Sequence, residues 1–369
     1  MDKFANRVTS IDISGIRKMF EAAGPNAINM GLGQPDFDTP KNIKDAAIRA
    51  INDGKTGYTN NAGLDELRIA IADKLKRENG LSYQKENILV TAGGSGALNA
   101  AISSLIEDGE KVVFNNPGFV SYGSLAILAG GTPDPVPLLP DLHLDVETLK
   151  EHFADKKTKV MVLNSPANPT GMVEKPETIR AVVESAADYG VTVLSDEVYE
   201  KFCYGDTKFV SAATFGDNVV TINATSKTYA MTGWRIGFMA GSADLVGQAV
   251  KIQQYSLACP TSIAQYAALE AYTGDQSSIA VMKKEYEARR NLLINGLHDM
   301  GIEVAMPEGA FYAFPKLDVD TVMKIVAADV IITPGSAFGT LGEGYARMSY
   351  ATSQNNIKEA LKRIKTVVN

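Results

Sequence analysis

From about residue 88, the sequence alternates short apolar runs with helical patterns, and this alternation constrains the fold more than any other feature. β-Branched residues are frequent in the runs, and helix-like segments separate most of them, which is typical of an α/β domain with a mostly parallel sheet. The runs are ILVTA (88–92), VVF (112–114), VMVL (160–163), VTVLS (191–195), VVTIN (219–223) and IGFMA (236–240).

The connections between the runs carry specific start and stop signals. A glycine cluster at 93–96 follows the first run, and apolar residues then repeat at helical spacing from Leu98 to Ile106. Pro176 fits a first helical position, and Gly190 fits a helix stop after Tyr189, so this segment reads as a crossover helix.

After about residue 275 the pattern changes. A long helical pattern extends to Gly301, paired short strands around Pro307–Gly309 suggest a hairpin, and a closing helix is expected over about 355–368. We therefore expect a large domain over 41–275 and a smaller α+β domain formed by 1–40 and 276–369.

Charge and composition exclude several functional classes. The chain of 369 residues has 36 basic and 43 acidic residues, a net charge of −7, and we found no like-charge run of five or more, so a nucleic-acid partner is not expected. Two cysteines and three scattered histidines disfavour a disulfide framework or a metal centre. We see no signal peptide or membrane span, so we expect a cytoplasmic protein without a membrane partner.

Ligands of open α/β sheets collect at the carboxyl ends of the strands, so the polar residues that follow each run are the candidate site. Taken alone, each of these features has a purely structural explanation. The glycines at 93–96 could form a tight turn and residues 164–171 an ordinary loop. Asp196 could be a helix cap, and Lys227 could be a surface charge. Together they match the needs of pyridoxal 5′-phosphate (PLP): a helix N-terminus for the phosphate, a carboxylate for the pyridine nitrogen and a lysine for a Schiff base.

Eight segments in order along the chain resemble the class I aminotransferases, which are fold-type I PLP enzymes, and most closely the prokaryotic-type aspartate aminotransferase subgroup. They are GLGQPDFDTP, YTNNAGLDELRIAIA, NSPANPTG, LSDEVY, SKTYAMTGWRIGF, PTSIAQYAALEA, PEGAFYAFP and GEGYARMSYATS. The resemblance implies the PLP-dependent transferase fold, with a large domain and a smaller α+β domain.

The resemblance also implies roles for individual residues. Lys227 would form the Schiff base, Asp196 would pair with the pyridine nitrogen, and Asn168 and Tyr199 would bind the ring oxygen. Gly94, Ser95, Gly96, Ser226 and Arg235 would hold the phosphate, Phe119 would stack on the ring, and Tyr58 would reach the phosphate of a neighbouring subunit. Arg347 would bind the substrate α-carboxylate, assisted by Gly33 and Asn168. Many relatives have a serine where this chain has Ala224, so contact of the phosphate with Ala224 or Ser226 stays open.

The expected activity is a ping-pong transfer of an amino group from an L-amino acid to a 2-oxo acid, for which we expect 2-oxoglutarate, by a homodimer with shared sites. Aspartate, alanine and aromatic donors remain open, and Arg7, Arg17 and Lys18 are candidates for binding a distal carboxylate. A carbon–sulfur β-lyase would share nearly every motif. A regulatory PLP-binding module is disfavoured because such proteins carry an additional N-terminal winged-helix domain. The roughly 30 residues that precede GLGQPDF are too few to form one.

Overall fold

A computed structural model describes residues 3–11 and 26–368 of the chain. Arg17 and Lys18, the candidates for a distal carboxylate, lie outside the described residues, and Arg7 lies in a short exposed helix.

A seven-stranded mixed sheet forms the centre of the larger part of the molecule. Its strands are β2 (Ile88–Thr91), β3 (Lys111–Asn116), β4 (Thr132–Pro137), β5 (Thr158–Asn164), β6 (Thr192–Asp196), β7 (Val219–Ala224) and β8 (Gly237–Ala240), in the spatial order β2-β8-β7-β6-β5-β3-β4. Strand β8 is antiparallel to both neighbours, and the other neighbouring pairs are parallel. The α/β fold with a mostly parallel sheet is thus confirmed.

Helices surround this sheet and continue into the C-terminal part. Those of the described residues are α1 (Asn6–Thr9), α2 (Lys41–Asn52), α3 (Asp65–Asn79), α4 (Gly93–Leu105), α5 (Ser121–Leu128), α6 (Val146–Phe153), α7 (Pro176–Asp188), α8 (Thr225–Thr228), α9 (Ala243–Leu257), α10 (Ser262–Thr273), α11 (Ser277–His298), α12 (Val319–Ala327) and α13 (Gln354–Val368). Helix α7 begins with Pro176 at its first position, and Gly190 follows its end with φ +70°, in accord with the expected crossover helix. No helix of the described residues is long and apolar enough to cross a membrane.

A second, small sheet lies in the C-terminal part. It has the order β11 (Thr333–Pro334), β12 (Ala346–Ser349), β9 (Tyr312–Ala313), and β1 (Ile28–Asn29) pairs separately with β10 (Val330–Ile331). One apolar cluster joins the residues around Met30 to the C-terminal helices and strands, and it also includes Tyr199, Phe202 and Tyr204 of the larger part. The boundaries at 40 and 275 remain a prediction.

The expected hairpin around Pro307–Gly309 is wrong. The backbone N–H groups of Glu308 and Gly309 instead both donate to the carbonyl of Gly171 (2.9 and 2.8 Å), and Gly309 forms a bridge with Cys203. This turn therefore docks on the larger part of the molecule, because its backbone finds partners there and not in a neighbouring strand.

Candidate active site

A cavity of about 310 Å³ lies at the carboxyl ends of the parallel strands. Of the residues expected to bind the cofactor or the substrate α-carboxylate, all but Gly96 and Tyr58 line it: these are Gly33, Gly94, Ser95, Phe119, Asn168, Asp196, Tyr199, Ser226, Lys227, Arg235 and Arg347. Arg7, a candidate for a distal carboxylate, does not line it. Gly96 lies one residue further into helix α4, and the side chain of Tyr58 is 91% exposed. The fold thus brings residues from most of the chain length to one place.

Lys227 lies in the short helix α8 that directly follows strand β7. Its Nζ donates a hydrogen bond to the carbonyl oxygen of Gly33 (2.6 Å), which ties it to the N-terminal segment. Burial and, to a lesser extent, the nearby cations of Arg347 and Arg235 together lower the pKa of Lys227 to about 8, while the Asp196 carboxylate opposes this. A substantial fraction of this amine is therefore neutral near pH 8, as a nucleophile or base requires.

Asp196 ends strand β6 and is 5% exposed. Its Oδ2 accepts a hydrogen bond from the hydroxyl of Tyr122 (2.9 Å), and its Oδ1 accepts one from the N–H of Val198 (3.4 Å). Burial raises the pKa of Asp196 to about 6, while these donors and the Lys227 ammonium oppose the rise. The Asn164 amide donates to the Asp196 carbonyl (2.9 Å) and fixes the backbone.

Arg347 in strand β12 is a buried cation that has no acidic partner in residues 3–11 and 26–368. Its guanidinium lies between the rings of Tyr312 and Phe338, at 4.7 and 4.6 Å from their centroids, and the residue is 2% exposed. One terminal nitrogen donates to Asn168 Oδ1 (2.9 Å) and the other to the Gly31 carbonyl (2.5 Å), while Nε has no partner among the described residues. Within those residues no carboxylate lies within ion-pair distance, so the site is prepared for an external anion.

The N-terminus of helix α4 has the backbone donors that a phosphate site requires. The N–H groups of its first turn have no partner within the helix, and Gly93 adopts φ +73°. A Cβ at Gly93 would lie 2.4 Å from Arg235 Nη2, so the absence of a side chain lets this guanidinium approach the helix terminus. Ser226 and Ala224 both line the cavity on this side.

These donors fit PLP. A helix N-terminus with Arg235 suits the phosphate, buried Asp196 suits a protonated pyridine nitrogen, and Lys227 opens onto the same cavity. The cavity volume also lies at the lower end of the range for small-molecule sites.

Among the cavity residues not identified from the sequence, Tyr122, Tyr312 and Asn164 form hydrogen bonds within or beside the site. Asn164 and Tyr312 lie within NSPANPTG and PEGAFYAFP, two of the segments that resemble the aminotransferases, so the sequence does contain a signal for them. Tyr122 follows Phe119 by three residues, which is a helical spacing, and the two rings are in contact edge to face with centroids 5.6 Å apart.

Comparison with known proteins connects this geometry to an activity. The family model described as aminotransferase class I and II matches residues 25–364. A probable aspartate aminotransferase of Methanocaldococcus jannaschii is 45% identical over 98% of this chain and 99% of its own. The aromatic-amino-acid aminotransferase 2 of Thermococcus litoralis is 39% identical over 99% of this chain and 98% of its own. Among solved structures, the aspartate aminotransferase from Thermus thermophilus with maleate matches with a TM-score of 0.95 at 34% identity, covering 100% of both chains.

Proposed function

We propose, from the premise that this chain belongs to the class I and II aminotransferase family, that Lys227, Asp196 and Arg347 are the principal working residues of its site. The chain is an enzyme that transfers amino groups with PLP. The observation that carries the assignment of residues is that the buried guanidinium of Arg347 lines the same cavity as a lysine with a lowered pKa.

The candidate residues divide among the phosphate, the ring and the pyridine nitrogen of the cofactor. Gly94, Ser95 and Gly96 with Ser226 and Arg235 would bind the phosphate, and Phe119 would stack on the ring. Asn168 and Tyr199 would donate to the ring oxygen. Asp196, kept ionised by hydrogen bonds from Tyr122 and Val198, would hold the pyridine nitrogen protonated.

When bound, PLP supplies an aldehyde that joins amine nitrogens and a ring that accepts the electron pair left when the α-proton departs. Once the substrate amine has displaced it from the cofactor, Lys227 Nζ would take that proton from the substrate α-carbon and deliver it to the former aldehyde carbon of the cofactor, since its pKa of about 8 allows both protonation states. Water then releases the 2-oxo acid and leaves the amino group on the cofactor. Arg347 binds the α-carboxylate through its two terminal nitrogens and holds the α-carbon in place, and Asn168 and Gly33 assist.

We propose 2-oxoglutarate as the acceptor and aspartate as the principal donor. Support for aspartate comes from relatives named aspartate aminotransferase, including that of Pyrococcus abyssi at 42% identity over 99% of this chain and 98% of its own. An aromatic donor is the second candidate. Leu32 and Phe119 line the cavity, and its only cations among the described residues are Lys227, Arg235 and Arg347, all of which already have tasks.

Half-reaction spectroscopy tests the activity and the donor together. Each of aspartate, alanine and phenylalanine is mixed with the PLP-loaded protein without an acceptor, and the conversion of the cofactor to its amino form is followed. Stoichiometric conversion that 2-oxoglutarate reverses supports amino transfer. Steady release of pyruvate and ammonia without an acceptor would instead identify a carbon–sulfur β-lyase.

We also propose that the protein is a homodimer with shared sites. Tyr58 and Tyr255 are 91% and 87% exposed, and they lie on neighbouring segments: Asn61 donates to the Ala258 carbonyl (2.8 Å), and Gln253 donates to the Asn61 carbonyl (2.5 Å). Large exposed aromatic side chains on adjoining segments fit a two-fold interface with a second copy. Tyr58 would then reach the phosphate in the partner's site. A cytoplasmic location remains a prediction.

A further inference from the structure

Tyr312 lies at the centre of the polar groups in the cavity, although its sequence position gives it no assigned task. Tyr312 is 1% exposed, and its hydroxyl lies 2.7 Å from the hydroxyl of Tyr199. The Arg347 guanidinium lies 4.7 Å from the centre of its ring. Tyr312 thus contacts both the proposed ligand of the cofactor ring oxygen and the proposed ligand of the substrate carboxylate.

We propose that Tyr312 is a positioning residue that donates its hydroxyl proton to Tyr199, and thereby strengthens the hydrogen bond from Tyr199 to the cofactor ring oxygen. This inference rests on the proposed roles of Lys227 and Tyr199.

The direction of donation follows from the charge of the acceptor. A negatively charged ring oxygen attracts the Tyr199 proton, because hydrogen bonds to ionised acceptors are the stronger ones. The Tyr199 oxygen is then free to accept from Tyr312. In such a chain each hydrogen bond polarises the next, so the second donor strengthens the first.

Burial keeps both hydroxyls of the pair protonated. Burial raises the pKa of Tyr199 and of Tyr312, and the Asp196 carboxylate raises both further, while the Arg347 guanidinium opposes the rise in each. Lys227 Nζ lies 5.9 Å from the centre of the Tyr199 ring. Two neutral hydroxyls can form the donor chain, whereas a tyrosinate could not donate.

Gly33 provides the space that this arrangement needs. A Cβ at position 33 would lie 2.0 Å from the Tyr312 hydroxyl oxygen and 2.9 Å from Cζ, so any side chain there would displace the ring. A glycine at this position therefore allows the Tyr312 hydroxyl to meet Tyr199.

A pH titration of the visible absorbance of the Lys227-bound cofactor tests the proposal. A hydrogen bond to the ring oxygen stabilises its negative charge, which makes the adjacent nitrogen of the Lys227 linkage easier to deprotonate. Tyr199→Phe should raise the absorbance midpoint by about one pH unit and Tyr312→Phe by about half a unit, the size expected for one hydrogen bond. Because Tyr312 acts through Tyr199, the double variant should have the midpoint of Tyr199→Phe alone.

Tyr350→Phe is the matched control. Tyr350 belongs to the same apolar cluster and is fully buried, but its hydroxyl faces the Ala310 carbonyl (3.4 Å) and it does not line the cavity. Its midpoint should equal that of the wild type, and thermal unfolding of each cofactor-free variant verifies folding.

The outcomes separate the inference from the function on which it rests. An unchanged midpoint in Tyr312→Phe, or shifts that add in the double variant, would overturn the role of Tyr312 while the shift in Tyr199→Phe upholds the site. If Tyr199→Phe also leaves the midpoint unchanged, the proposed placement of the cofactor is wrong, and the relay with it.

Discussion

Replacing Asp196 by Asn should stabilise the cofactor-free protein and at the same time slow amino transfer. Asp196 is 5% exposed, and burial raises its pKa from the ordinary 3.8 to about 6. At about 1.36 kcal/mol per pH unit, this rise means that the ionised carboxylate costs the folded state about 3 kcal/mol.

The sign of this contribution defines its pH dependence. Because the folded protein holds the Asp196 proton more tightly than the unfolded chain, the cost is absent below about pH 4, grows up to about pH 6 and is complete above it. Asn removes the cost but cannot accept from both Tyr122 and the Val198 N–H, which loses about 1–2 kcal/mol. The net gain above pH 6 is about 1–2 kcal/mol, equivalent to about 2 °C in melting temperature for a chain of this length.

Scanning calorimetry of the cofactor-free proteins between about pH 4.5 and 8, with turnover assays of the loaded enzymes, measures both effects. Turnover should fall at least ~10²-fold, about 3 kcal/mol, with the cofactor still bound, because a neutral amide does not hold the ring nitrogen protonated. Glu200→Gln is the control. Despite the burial of Glu200, the Lys74 ammonium holds its pKa below the usual range, so this variant should lose stability. A melting temperature for Asp196→Asn below that of the wild type above pH 6, or near-normal turnover, would refute the reasoning.

Three further substitutions test other parts of the site. Arg347→Gln should lower kcat/KM at least ~10²-fold for all amino and 2-oxo acids while cofactor binding persists, because two charge-assisted hydrogen bonds are lost; retained kcat/KM would exclude the carboxylate role. Tyr122→Phe removes a hydrogen-bond donor from Asp196, so the carboxylate should protonate more readily as the pH falls. Turnover should therefore fall several-fold, most at low pH, and a loss independent of pH would argue against this role of Tyr122. If Tyr58→Phe alone is impaired, mixing Tyr58→Phe chains with Lys227→Ala chains should restore activity. In each mixed dimer, one of the two sites then combines Lys227 of the first chain with Tyr58 of the second. No recovery after verified subunit exchange would place Tyr58 outside the partner's site.

The fold was predictable wherever the signal is local. The apolar runs coincide with six strands of the large sheet to within a residue or two at each end, and the proline and glycine signals place helix α7 correctly. The seventh strand, Thr132–Pro137, was missed because TPDPVP contains three prolines. These are tolerated because the strand lies at the sheet edge and pairs on one side only.

Contacts between distant segments limited the prediction of the site. Polar residues at strand ends were identifiable because the carboxyl ends of parallel strands share one edge. The position of Tyr312 depends on the pairing of its strand with Ser349 and Met348, which no local pattern of PEGAFYAFP reveals. The hydrogen bond from Tyr122 to Asp196 likewise joins side chains 74 positions apart in the sequence.

Borohydride reduction of the PLP-loaded protein, followed by peptide mapping, locates the lysine that binds the cofactor. We expect a stable pyridoxyl group on Lys227 and none in Lys227→Ala. Lys74, a second buried lysine, is an internal control, since its ammonium is tied to Glu200 and Asn79. Label on Lys74 or any other lysine of the wild-type protein, with Lys227 unmodified, would show that Lys227 does not bind the cofactor.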